Sequence, residues 1–161
     1  MDIFVTASPD PSGRVSYDSL YESIASLVEG ESDLIANLGN VSAAIRQAAG
    51  FWWVGFYLVK EGQLVLGPFQ GPVACTRIPF HKGVCGAAYT SQKTIVVDDV
   101  DSFPGHIACS AESRSEIVVP VFNRNGTVAM VLDIDSEIPG RFAEEDRRGI
   151  ERIARLLEKK L

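Results

Sequence analysis

The chain has 161 residues, 46% of them hydrophobic and 9% aromatic, with a formal net charge of −6. That is the size of one domain on a rough scale of ~150 residues each, with enough apolar side chain for a real core. The acidic balance argues against nucleic acid and anionic membrane as partners, and no apolar run approaches the ~18 residues of a membrane span.

The opening "MDIFVTASPDPSGRVSYDS" lacks the charged-then-apolar pattern of a secretory signal, so a cytoplasmic location is expected. Residues 1–15 read as a flexible arm, because Pro9, Pro11 and Gly13 interrupt any periodicity, and one domain is expected over 16–161. From Ser16, a good N-cap residue, Leu20, Ile24, Leu27 and Val28 form a helical stripe that Gly30 stops. Ser32 is placed to cap a second helix carrying Leu34, Leu38, Val41 and Ile45 and ended by Gly50. "FWWVGFYLV" (51–59) is aromatic and branched; the turn "EGQ" joins it to "LVLG" in an expected antiparallel hairpin. After Pro68 the chain is irregular, through Gly71, Pro72 and Pro79, until "GVCGAAYTSQ" offers a short helix.

"TIVV" (94–97) is a short strand, and "DDVDSFPGHIACSAESRS" follows as a long loop of the kind that more often carries function than decoration. "EIVVPVF", the turn "NRNG" and "TVAMVLDID" form a second hairpin, and a helix over 143–160 sets Ile150, Ile153, Ala154 and Leu157 on one face. The order predicts an α+β domain. A central antiparallel sheet carries the N- and C-terminal helices on one face and a ligand site under the irregular segments on the other.

Three cysteines, Cys75, Cys85 and Cys109, fall in that irregular half. An odd number in a chain expected to be cytoplasmic is not a disulfide framework. They are buried small residues, a zinc site with His106, or a redox pair in which one thiol forms a sulfenic acid and another resolves it. Zinc ligands usually pair two to four residues apart, and these cysteines stand ten and twenty-four apart. In "VAMVLDIDS" alternation sends Met130, Leu132 and Ile134 one way and Asp133 and Asp135 the other. Glu116, at the start of the neighbouring strand, adds a third carboxylate. The bland reading is a solvated strand end or a turn cap by Asp135.

The sharper reading of those acids is a site that welcomes an ammonium group and repels phosphate, with carboxyls that raise one another's pKa. Alternation in "FWWVGFY" puts Trp53 and Tyr57 on one face with Val59, and Trp52 and Phe56 on the other. These are core aromatics, or a wall for an alkyl or sulfur-bearing ligand. Residues alone lead to a thiol-based reductase or sensor of a small cationic molecule.

"GPFQGPVACTRIPFHKGVCGAAY", "DVDSFPGHIACSAESRSEIVVPV" and "GTVAMVLDIDSEIPGRFAEED" together resemble the free methionine-(R)-sulfoxide reductases, enzymes built on a GAF domain. The resemblance runs from about residue 16 to the end of the sequence. It implies that Cys109 is the attacking nucleophile, Cys75 the resolving cysteine, and Cys85 a third thiol available for an alternative disulfide. It implies that Glu116, Asp133 and Asp135 hold the substrate's amino group and assist at the sulfoxide, with Trp53 and Tyr57 beside the methyl group. The implied reaction is reduction of free L-methionine-(R)-sulfoxide through a sulfenic acid and an intramolecular disulfide. Thioredoxin recycles the enzyme, with no metal or organic cofactor, and a homodimer is expected from the habit of such domains to pair through their helices. Preference for the R epimer follows from the resemblance alone. The alternative is a GAF-type redox or small-ligand sensor without turnover.

Overall fold

The computed structural model describes residues 13–106 and 111–161. The first helix, α1 (Tyr17–Glu29), begins after Ser16 and ends at Gly30, as the stripe predicts, with Leu20, Ile24 and Val28 buried. The second, α2 (Leu34–Ala49), is capped by Asp33 rather than Ser32: the Asp33 carboxylate accepts from the Ala36 amide at 2.8 Å. Aspartate caps as well as serine does, and it stands one residue closer to the apolar stripe.

Strand β1 (Trp53–Lys60) turns into β2 (Gln63–Gln70), and a two-residue strand β3 (Arg77–Ile78) follows the Gly71–Thr76 loop. Helix α3 (Gly83–Ser91) precedes β4 (Ile95–Val97). The long loop after β4 is not wholly irregular, since Val100–Ser102 winds into a 3-10 turn whose Asp99 side chain accepts from the Asp101 amide at 3.0 Å. The second hairpin is β5 (Ser115–Phe122) with β6 (Val128–Ser136), and α4 (Glu144–Glu158) completes the element order. The six strands form one antiparallel sheet in the order β3-β2-β1-β6-β5-β4.

Period-two alternation divides the core between the two faces of the sheet. Phe56 of β1, Ile117, Val119 and Val121 of β5, and Met130, Leu132 and Ile134 of β6 pack under α1, α2 and α4. Val15, within the expected arm, is buried in this same layer. The helices interlock closely: Tyr17 Oη donates to Asp146 at 2.7 Å, and a Cβ on Gly149 would stand 2.1 Å from the Tyr17 ring. Glycine is required there because ring and helix backbone touch. Burying the apolar faces of three helices on one side leaves the other side to α3 and the loops, which is where the polar residues of β5 and β6 point.

Candidate functional site

On the face opposite the three helices the chain encloses a pocket of about 580 Å³, part of it open to solvent. Its floor is set by strand register. Trp53 lies opposite Asp135, and Asp135 opposite Glu116, so one row across β1, β6 and β5 ends in an indole and two carboxyls. The next row on this face is Gly55, Asp133 and Val118. Side chains two apart on a strand share a face, which brings Glu116, Asp133 and Asp135 together from two strands. The sequence places these three acids correctly.

Glu116 and Asp133 are each only 6% exposed, and Asp135 is half-buried with its carboxylate accepting from Ser113 Oγ at 2.8 Å. Burial penalises the charged form, and each carboxylate penalises the next. Burial is the larger cause; with the charges of Asp133 and Asp135 it holds Glu116 well above the usual carboxyl range. Asp135 is likewise raised by burial and by Asp133, against a smaller opposing effect of the Ser113 hydrogen bond. Asp133 is raised by burial although hydrogen bonds from Glu116 and Cys85 and the proximity of His106 favour its ionised form. Asp133 Oδ1 is buried without a hydrogen-bond partner among the described residues. The floor is therefore an acceptor-rich concavity suited to a donor-bearing cation.

Cys85, the third residue of α3, stands over this floor as a buried free thiol. Burial, then the charges of Asp133, Glu116 and Asp135, push its pKa up. A thiol so placed stays protonated and is a poor nucleophile. Cys75 lies half-buried in the β2–β3 loop beside Ala74, which lines the pocket. Cys109 lies outside the described residues. Of the described residues on either side of it, His106 and Ser113 line the pocket. The zinc combination of Cys75, Cys85, Cys109 and His106 includes Cys109 and so lies in part outside the described residues. Their one group with metal-ligand chemistry is Cys85, Glu116 and Asp133.

The aromatic wall rests on one glycine. Trp53 stacks on Phe69 with centroids 5.2 Å apart and on Tyr57 at 6.0 Å. A Cβ on Gly55, between them in sequence, would stand 2.3 Å from Phe69 Cβ and 2.6 Å from the Trp53 ring. Both rings also hold the Cys75 loop: Trp53 Nε1 donates to the Pro72 carbonyl at 3.0 Å, and Tyr57 Oη to the Cys75 carbonyl at 2.8 Å. Trp52 corrects the alternation argument. β1 starts at Trp53, so Trp52 precedes the pleat and lines the pocket with Trp53 and Tyr57, whereas Phe56 faces the helices as expected.

Sequence reasoning missed Ser113 and Gly55 as site residues. A glycine amid "FWWVGFYLV" is a recognised sign of close approach in a strand, whereas nothing marks Ser113 among the serines of its loop. Among the described residues no helix is long and apolar enough to cross a membrane.

Comparison with known proteins identifies the family. The model of the GAF domain family matches residues 32–159. GAF domain-containing protein A of Dictyostelium discoideum is 50% identical over 143 residues, covering 88% of this chain and 90% of that protein. The free methionine-R-sulfoxide reductase of Escherichia coli is 44% identical over 146 residues, covering 90% and 88% respectively. The X-ray structure of free methionine-R-sulfoxide reductase from Neisseria meningitidis in complex with its substrate superposes with a TM-score of 0.93 at 47% identity, covering 99% of this chain and 95% of that one. With an antiparallel six-stranded α+β architecture and relatives of this identity over nearly their whole length, the chain belongs to the GAF-domain family of free methionine-R-sulfoxide reductases.

Proposed function

We propose that this chain reduces free L-methionine-(R)-sulfoxide to methionine. The observation that carries the reading is the convergence of Glu116, Asp133 and Asp135 beside an aromatic wall, with an unpartnered Asp133 oxygen in the floor. A free amino acid brings an ammonium group that peptide-bound methionine lacks. Buried carboxylates bind such a group through charge-assisted hydrogen bonds of ~1.5–3 kcal/mol each. Trp52, Trp53 and Tyr57 supply the surface for the thioether-like end, where sulfur and methyl groups pack well on rings.

Cys109 is the nucleophile in this reading, and Cys85 is not: the buried, raised thiol of Cys85 lacks the thiolate that attack requires. The Cys109 thiolate forms a bond to the sulfoxide sulfur while a buried carboxylic acid, Glu116 or Asp135, protonates the oxygen. The hydroxyl passes to the Cys109 sulfur and methionine leaves. The sulfoxide is thereby reduced by two electrons and Cys109 is oxidised to a sulfenic acid. Cys75 then attacks that sulfur and expels water, leaving a Cys75–Cys109 disulfide. An external dithiol such as thioredoxin returns both thiols by exchange. The electron count closes on thiols alone, without a metal or organic cofactor, and the cycle suits a reducing compartment such as the cytoplasm.

The test is dithiol-coupled turnover of the two epimers of free methionine sulfoxide, with Cys109→Ser and Cys85→Ser alongside. Turnover of the R epimer that is lost in Cys109→Ser and kept in Cys85→Ser is expected. Turnover surviving in Cys109→Ser would move the attack to another thiol. Absence of turnover with either epimer would leave a GAF-type redox or ligand sensor.

A further inference from the structure

Three elements that are distant in sequence bring metal-ligand chemistry to one point of the pocket floor. Cys85 Sγ from α3 and one carboxylate oxygen each from Glu116 of β5 and Asp133 of β6 all lie within 4.8 Å of one another. Bonds of ~2.0–2.3 Å at tetrahedral angles set ligand atoms roughly 3.5 Å apart. The cluster therefore closes on an ion through side-chain shifts of about an ångström at most.

The three side chains are at most 6% exposed, so these groups are not a solvated acidic patch. An independent observation points to a ligand. Asp133 Oδ1 is shielded from solvent and has no hydrogen-bond partner among the described residues, although Asp133 lines the pocket.

We propose that Cys85, Glu116 and Asp133 form a binding site for a thiophilic divalent cation of the Zn²⁺ class, which excludes substrate by occupying the place of its ammonium group. One sulfur and two carboxylate oxygens match Zn²⁺ or Co²⁺ and disfavour Mg²⁺ and Ca²⁺, which take oxygen ligands alone. Three protein ligands would leave a fourth position, as in zinc sites that keep a water or small ligand bound, and all three residues line the pocket. The Ser113–Asp135 hydrogen bond holds a further carboxyl beside the cluster without joining it. Metal binding itself needs only these side chains; competition with substrate rests on the reductase reading.

Co²⁺ tests the site spectroscopically. In the Cys75→Ser/Cys109→Ser variant of this 161-residue chain, Cys85 is the one thiol left of three, so a thiolate-to-cobalt charge-transfer band reports on it alone. One equivalent of Co²⁺ per chain is expected to give that band, Zn²⁺ to bleach it, and Mg²⁺ to leave it intact. Adding Asp133→Asn should weaken Co²⁺ at least roughly tenfold, and Cys85→Ser should abolish the band. Absence of the band, or its survival in Cys85→Ser, would overturn the proposal.

A measurement on the wild-type chain guards against misfolded variants: Zn²⁺ is expected to raise KM for free methionine sulfoxide and leave kcat unchanged. Inhibition that lowers kcat alone would contradict a shared site. The two readings fail separately. A sulfur–cobalt band that methionine sulfoxide does not displace would remove the substrate from this floor and keep the metal site. Normal turnover with no band would do the reverse.

Discussion

Replacing Asp133 by Asn separates recognition from stability, and the two effects run in opposite directions. Asp133 is 6% exposed, one of its oxygens has no partner, and its carboxyl is raised chiefly by burial. For recognition, the change removes a buried charge from an ammonium contact worth ~1.5–3 kcal/mol, about 10–150-fold in kcat/KM at 1.4 kcal/mol per factor of ten. For stability, a folded-state pKa above the unfolded one means that the folded state holds more protons between the two values. Stability then falls as pH rises through that window. Asn carries no such burden. The variant is expected to melt at a higher temperature than wild type at pH 7–8, with the gap closing towards pH 4. Steady-state kinetics and thermal melts across that range check both halves. An unchanged kcat/KM, or a variant less stable than wild type at neutral pH with no narrowing towards acid, would refute the reasoning.

The raised carboxyls also predict that kcat/KM for free methionine sulfoxide falls as pH drops through an apparent pKa above the ordinary carboxyl range, because the cation binds the ionised form of the carboxyls other than the proton donor. A pH profile flat down to the usual carboxyl range would contradict this. Gly55→Ala forces a Cβ against Phe69 and the Trp53 ring; overpacking of ~1–3 kcal/mol corresponds to a drop in Tm on the order of 5 °C, readable by calorimetry. Tyr57→Phe removes the hydrogen bond to the Cys75 carbonyl. It is expected to leave KM within about twofold, since the ring remains, but to slow disulfide formation, so that dimedone traps more sulfenic acid after one turnover.

Strong periodicity made the helices and both hairpins legible. Leu20, Ile24 and Val28, or Met130, Leu132 and Ile134, repeat at spacings that allow one reading, and each packs where that reading puts it. The three acids were legible for the same reason, because alternation in "VLDID" fixes their face and an antiparallel neighbour brings in Glu116. What failed were places where local rules compete. Asp33 won the cap from Ser32, and Trp52 escaped alternation by standing one residue before the strand. The two-residue strand β3 pairs only through Leu64 with Ile78 and Val65 with Arg77, too short a run to leave a period. The burial that raises the Cys85 thiol comes from tertiary packing of α3 on β5 and β6, which spacing does not encode. Residues 1–12 and the expected nucleophile Cys109 lie outside the described residues.

The central claim is that the carboxyls of Glu116, Asp133 and Asp135 select a free amino acid by its ammonium group. The most direct measurement compares kcat/KM for free L-methionine-(R)-sulfoxide with that for its N-acetyl derivative, which keeps the sulfoxide and side chain and loses the charge. A loss of at least about 100-fold on acetylation is predicted, from a charged hydrogen bond of ~1.5–3 kcal/mol together with the carboxylates then left buried and unpaired. Equal turnover of the two compounds would contradict the account, whatever cysteine performs the reduction.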